Sequence, residues 1–289
     1  MFADSRRAFM KQLSFLAAAA AAPSLFALDA HGTNAKMRFG LCTYLWGAKA
    51  PLDTLLEWCR TTGLEGLELR CQHAHKVEPE ISASERADVK KRFADSNVTL
   101  VGFGTNEDFH HTDPALLREK IERAKAYLQL SADCGGLGVK VKPNNLPKGV
   151  DQKKTTAQIA AALDEVGQCA ADLGQMVRLE NHGDCAPIPI MKEIIDQVTA
   201  PNVGLCWNCN GVDTEGAGFT ENFRSVAARL ADTVHIHEFS RGNYPYPELF
   251  RLFHEIDYRG WLLFECHEEH PLEEIPNQLR TELDRYAKL

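Results

Sequence analysis

Short apolar runs recur eight times along the chain, with a longer, mostly amphipathic segment after each, and this alternation restricts the fold more than any other feature. The runs are Arg38–Tyr44, Leu64–Leu69, Thr99–Phe103, Gly136–Val141, Met176–Glu180, Val203–Trp207, Thr233–His237 and Trp261–Glu265. They are rich in Val, Leu and Ile, as strands covered on both faces should be. Helix starts are legible between several of them. Asp113-Pro114 offers a cap and a first-turn proline before Ala115–Leu130, where Leu116, Leu117, Ile121, Ala124 and Leu128 line one side. Ser82 and Glu85 stand at capping-box spacing before a segment ending near Phe93. Thr155–Leu173 and Leu272–Tyr286 are similarly periodic. Eight such units in about 250 residues predict an α/β fold, a (β/α)8 TIM barrel forming a single domain over residues 36–289. A doubly wound open sheet is the rival, and it would want a glycine-rich turn after the first strand. Gly40-Leu41-Cys42-Thr43-Tyr44 provides none.

Residues 1–35 read as an address label. Ser5-Arg6-Arg7-Ala8-Phe9-Met10-Lys11 has the layout of a twin-arginine export signal, followed by an apolar run from Leu13 to Leu28. That run is short of the ~20 apolar residues a membrane span needs. The expectation is a periplasmic protein with no membrane attachment once the signal is removed. An uncleaved N-terminal anchor is the alternative, since no clean small-x-small cleavage site precedes Ala35.

Charge and cysteine usage narrow the partners. The formal net charge is −8, and setting the first 35 residues aside removes three basic and two acidic groups, making the remainder slightly more acidic. No basic stripe compensates, so nucleic acid is not expected as a partner. Nine cysteines cannot all pair within one chain. Cys42, Cys134, Cys206 and Cys266 fall in apolar runs and read as small buried hydrophobes. Cys206-Trp207-Asn208-Cys209 is a lone CxxC at a strand end, a weak metal or redox signal.

In a barrel the chemistry belongs at the C-terminal strand ends. The last four strands finish with Glu180, Asn208, His235 and Glu265, each able to ligate a metal. Two carboxylates facing one barrel mouth repel unless something positive lies between them. The oxygen-rich set with one imidazole suits one divalent ion, Mn²⁺ or Mg²⁺ first, with Co²⁺ or Zn²⁺ also compatible.

With Glu, Asn, His and Glu on strands five to eight, the chain resembles the xylose-isomerase-like sugar isomerase/epimerase superfamily over essentially its whole length after the signal. By that resemblance Glu180, Asn208, His235 and Glu265 are the metal ligands. The ketohexose 3-epimerases place a substrate-binding arginine six residues after the metal histidine. Arg241 stands six after His235, which favours His235 over His237 as ligand. The pattern also departs from the family. Asn208 replaces the usual Asp, Gly211 stands where the epimerases have a substrate histidine, and Ala186 replaces a second carboxylate. The stretches Glu68-Leu69-Arg70, His73-Ala74-His75, Phe109-His110, Val139 to Asn144, Leu179 to Gly183 and Tyr244-Pro245-Tyr246-Pro247 resemble an exported subgroup of sugar phosphate isomerase/epimerase-like members.

The resemblance implies a small carbohydrate as partner and proton abstraction next to a carbonyl through an enediolate. Glu180 and Glu265 would be the proton carriers on opposite sides of the carbon. Lys142 would hold a sugar oxygen or shuttle a proton, and His73 and His75 would hydrogen-bond substrate from a loop. His182 and His267, each two past a ligand glutamate, would serve as a fifth ligand or as an outer donor. β-Elimination on a keto-glycoside, or a catalytically silent sugar-binding barrel, are alternatives for the same site. A three-zinc phosphodiesterase like endonuclease IV fits less well, because Lys142 and Gly211 occupy two of that branch's ligand positions. Related barrels form dimers or tetramers, so a homo-oligomer is an open expectation.

Overall fold

The computed structural model describes residues 37–242 and 244–289. The twin-arginine segment and the apolar run after it lie outside the described residues. Within them, eight strands alternate with eight α-helices, and the strands close in chain order into one parallel barrel. The strands are β1 (Arg38–Cys42), β2 (Gly66–Arg70), β3 (Thr99–Asp108), β4 (Gly138–Lys142), β5 (Met176–Glu180), β6 (Val203–Asn208), β7 (Leu230–Ile236) and β8 (Trp261–Phe264). Closure is made by β1 against β8, with Arg38 opposite Trp261 and Leu41 opposite Phe264. Among the described residues no helix is long and apolar enough to cross a membrane.

The helices begin where the chain supplies donors for their first turns. In α2 (Ala83–Ser96) the Ser82 hydroxyl accepts from the Glu85 amide, and the Glu85 carboxylate accepts from the Ser82 amide at 2.7 Å. In α3 (Pro114–Cys134) Asp113 accepts from the Ala115 amide at 2.9 Å, and Gly135 ends the helix at φ 79°. This helix outruns the stretch read from periodicity, because Ser131 and Cys134 are also buried.

Alternation along the strands sorts side chains into two environments. Leu67, Leu69, Val139, Val141, Val177, Leu179, Leu205, Trp207, Val234, Ile236, Leu262 and Phe264 point outward into the main core shared with the helices. The barrel interior is plugged by a separate small cluster, with Val101, Trp261 and Leu263 below and Cys42 at the level of Glu68. A Cβ on Gly66 would lie 2.6 Å from the Trp261 ring, so glycine there makes room for the indole. Above that plug the inward positions turn polar: Glu68, Arg70, Lys140, Arg178, Glu180, Asn208 and His235, then Glu265 just past β8.

Candidate metal centre at the barrel mouth

Register sets the level of each inward side chain. The β6–β7 ladder pairs Asn208 with His235, and the β5–β6 ladder pairs Glu180 with Cys206. The four residues expected as ligands gather around His235, with Glu180 outside the group of Cys42, His235 and Glu265 whose ligand atoms all lie within 4.8 Å of one another. Asn208 Nδ2 donates to Glu180 Oε1 at 2.9 Å, while His235 Nδ1 lies 3.4 Å from both Glu180 Oε1 and Glu265 Oε2. All four are nearly or wholly buried. His237 stands two residues further on, just past β7 and half-buried, so His235 is the deeper of the two.

Glu68 Oε1 sits 3.0 Å from His235 Nε2. The carboxylate can only accept there, so one ring proton belongs on Nε2, and in the neutral ring that a cation requires the Nδ1 lone pair would face the space between Glu180 and Glu265. That Nδ1 atom is buried and has no hydrogen-bond partner. A buried imidazole nitrogen left unpaired between two carboxylate oxygens, with an outer carboxylate on its other nitrogen, fits a divalent cation.

The charges agree. Burial alone would push the His235 pKa down, but the Cys206 thiol and the Glu265 and Glu68 carboxylates outweigh it and raise the pKa well above the usual value. Burial pushes Glu265 up, yet the His235 ring holds it at about 2. The pocket is built to hold positive charge.

Asn208 differs from the expectation in its orientation. Its Nδ2 faces Glu180, while its Oδ1 sits 2.9 Å from His237 Nε2. Turning the amide by half a revolution would present Oδ1 to the ion site and Nδ2 to His237. His237 can accept such a bond. Burial, then repulsion from His267, brings its pKa to about 4, so the ring is neutral.

The remaining expected residues separate into those at the mouth and one that is not available. Lys142 ends β4, half-buried at the mouth, and burial followed by the Lys140 charge lowers its pKa to about 8. His182 is half-buried, with Nδ1 2.8 Å from Asn144 Oδ1. Arg241 is exposed on the rim with Nη1 3.2 Å from His267 Nδ1. It lines a cleft of about 210 Å³ with Gly211, His237 and Tyr244. His73 is half-buried, 3.4 Å from the Thr43 hydroxyl. The expectation for His75 is corrected. Its Nε2 lies 2.7 Å from the Arg70 carbonyl and its Nδ1 accepts from the Val77 amide at 3.0 Å, so the ring fastens its own loop and has no nitrogen left for a sugar.

Three buried groups were not assigned a role from the sequence. Lys140 is wholly buried, with Nζ 2.6 Å from Glu180 Oε2. Glu68 orients His235. Cys42, read as a small hydrophobe, donates from Sγ to Glu68 Oε1 at 3.5 Å and to Glu265 Oε1 at 3.7 Å. Strand parity puts Glu68 with Arg70 and Lys140 with Lys142 on one face each, and the closed barrel shows that both faces point inward. All nine cysteines are free, including the CxxC pair Cys206 and Cys209.

A closed parallel eightfold barrel with a polar, charge-lined mouth at its C-terminal strand ends defines the general class of TIM-barrel proteins. Within it, this chain belongs to the xylose isomerase-like TIM barrel family, whose model matches residues 56–289. No curated protein matches it by sequence. Among solved structures it is similar to D-allulose 3-epimerase from Methylomonas sp. in complex with D-allulose. That likeness has a TM-score of 0.73 at 17% identity and covers 88% of this chain and 98% of the other. It is also similar to the 3-keto-D-glucoside 4-epimerase YcjR from E. coli, with a TM-score of 0.68 at 15% identity, covering 86% and 100%. D-psicose 3-epimerase from Clostridium cellulolyticum H10 gives 0.70 at 17% identity, covering 86% and 99%.

Proposed function

We propose that the protein is a divalent-metal-dependent sugar epimerase or isomerase acting by proton abstraction next to a carbonyl. The observation that carries this is the unpaired His235 Nδ1 held between Glu180 and Glu265 at 3.4 Å from each. Glu180, Asn208, His235 and Glu265 would hold the ion, Mn²⁺ or Mg²⁺ by donor type, with Co²⁺ or Zn²⁺ as alternatives. When bound, the ion supplies positive charge beside the sugar's carbonyl and hydroxyl oxygens and so acidifies the adjacent C–H.

The chain's own residues do the rest. Glu265 has the freer carboxylate: its Oε1 meets only the weak Cys42 thiol donor, so it is placed to take the proton. Arg241, His73 and His182 stand at the rim to bind hydroxyl groups. The activities by which the structural neighbours are named, epimerisation of ketoses and of a keto-glucoside, support a carbohydrate substrate. A proton returned to the same carbon gives an epimer, and one returned to the neighbouring carbon gives an isomer. A leaving group β to the anion gives elimination. The export signal read at residues 1–35 favours substrates found outside the cytoplasm, where keto-glycosides are more plausible than free sugar phosphates.

The test is deuterium wash-in from D₂O into D-psicose, D-tagatose, L-ribulose and a 3-keto-glucoside, with metal content measured on the same sample. The wild type exchanges at least one of them. Glu265→Gln, at equal metal content, loses exchange by about 10²- to 10⁴-fold. Unchanged wash-in in that variant would contradict the assignment.

A further inference from the structure

We propose that Lys142, and not Glu180, is the proton carrier that faces Glu265 across the substrate. The proposal rests on the proton-abstraction reading above and deepens it. A carboxylate that ligates an ion through one oxygen needs its other oxygen free to carry a proton. Glu180 has none free. Oε2 is capped by the Lys140 ammonium at 2.6 Å, and Oε1 faces the ion site, 2.9 Å from Asn208 and 3.4 Å from His235. Lys140 is itself wholly buried beneath Glu180 and cannot reach a substrate.

Lys142 has the opposite character. It is the last residue of β4, and the ladder pairing Val141 with Leu179 carries it alongside Glu180 at the mouth. It is half-buried, and the ion pair to Glu180 is made by Lys140 below it. In a closed barrel running β1 to β8 in order, β4 lies diametrically opposite β8. Lys142 at the top of β4 and Glu265 at the top of β8 therefore approach a sugar carbon from opposite faces, which is what inversion requires. Glu180, on β5, is displaced from that diameter.

The step balances. The Glu265 carboxylate takes the C–H proton, the bonding pair forms the C–C double bond, and the carbonyl π pair moves onto oxygen, giving the enediolate. The Lys142 ammonium then gives a proton to the other face of the same carbon, and the oxygen pair re-forms the carbonyl. The carboxylic acid and the amine left behind exchange protons with water and reset.

The experiment compares wild type, Lys142→Met and Lys142→Arg in D₂O on the same four sugars, following solvent deuterium at the reacting carbon and epimer formation separately. Lys142→Met is expected to lose epimer formation by at least about 100-fold while keeping wash-in within a few-fold for a sugar whose C–H faces Glu265, because Glu265 still exchanges on its own face. Lys142→Arg is expected to behave the same way, since a guanidinium can hold an oxygen but does not release its proton. Epimer formation restored by Lys142→Arg would reduce Lys142 to a fixed charge and overturn the proposal. Equal loss of exchange and inversion in both variants at full metal content would do the same. A wild type that neither exchanges nor converts any of the four sugars overturns the functional reading itself, and this assignment with it.

Discussion

At the scale of single residues, the site packs its buried charges against one another and leaves His235 Nδ1 without a hydrogen-bond partner. Glu68 is the clearest case. Its carboxylate fixes the proton of His235 on Nε2, so losing that charge should misorient the ligand without unfolding the barrel. Glu68→Gln is predicted to weaken metal binding about 10- to 100-fold, the usual effect of removing an outer-shell partner. Calorimetric titration with Mn²⁺ checks this, and an unchanged affinity would contradict it. That Glu180, Asn208, His235 and Glu265 would stand together was legible, because they lie at or next to the ends of consecutive apolar runs. Glu68 and Lys140 were not. Inside "LELR" and "VKVK" a charged residue looks the same whether it points into the barrel or out to solvent, and only the closed barrel decides. His75 fails for the converse reason. A histidine in a loop over the mouth looks available until its two nitrogens are seen on the Arg70 carbonyl and the Val77 amide.

Among the elements, the loops after β6 and β7 are tied together under the rim by one buried carboxylate. Asp213 accepts from the Tyr244 hydroxyl at 2.6 Å, the Asn210 amide at 2.9 Å and Asn181 Nδ2 at 3.1 Å. Burial outweighs these bonds and raises its pKa to about 7. A carboxyl with its folded pKa above its unfolded value of ~3.9 gives its full stabilisation below that value and loses it as pH rises toward 7. The stability difference between wild type and Asp213→Asn should therefore fall by up to about 1.4 kcal/mol per pH unit between pH 4 and 7. Urea unfolding at several pH values measures it, and a difference flat with pH would contradict the buried-carboxyl account. Element order was readable from hydrophobic period alone. Element length was not: β3 runs on from Phe103 to Asp108. Its polar end, Thr105-Asn106-Glu107-Asp108, pairs through irregular register with β4 and gives no apolar signal. A bulge beside Glu68, where Gly102 takes φ 148°, likewise leaves no trace in periodicity.

For the whole molecule, the proposed ion would be a ligand of the folded chain alone, because its four donors would come from four separate strands. At an ion concentration about 100 times its dissociation constant, binding should add about 2.7 kcal/mol of stability. For a domain of this size that corresponds to roughly 5–10 °C in Tm. Thermal unfolding with and without chelator is expected to show that shift, and no shift at saturating Mn²⁺ would count against a site spanning the barrel. The acidic balance of the chain, −8 overall, suits small polar substrates and offers no general attraction to nucleic acid.

The most direct measurement is anomalous diffraction at the manganese edge from crystals grown with Mn²⁺. The account predicts one principal peak in the barrel mouth, within coordination distance of Glu180, His235 Nδ1 and Glu265, with the Asn208 amide turned to present Oδ1. A mouth without a peak would contradict it, as would ions held only on His237, Glu265 and His267 or on the Asp108-His110-His111 cluster.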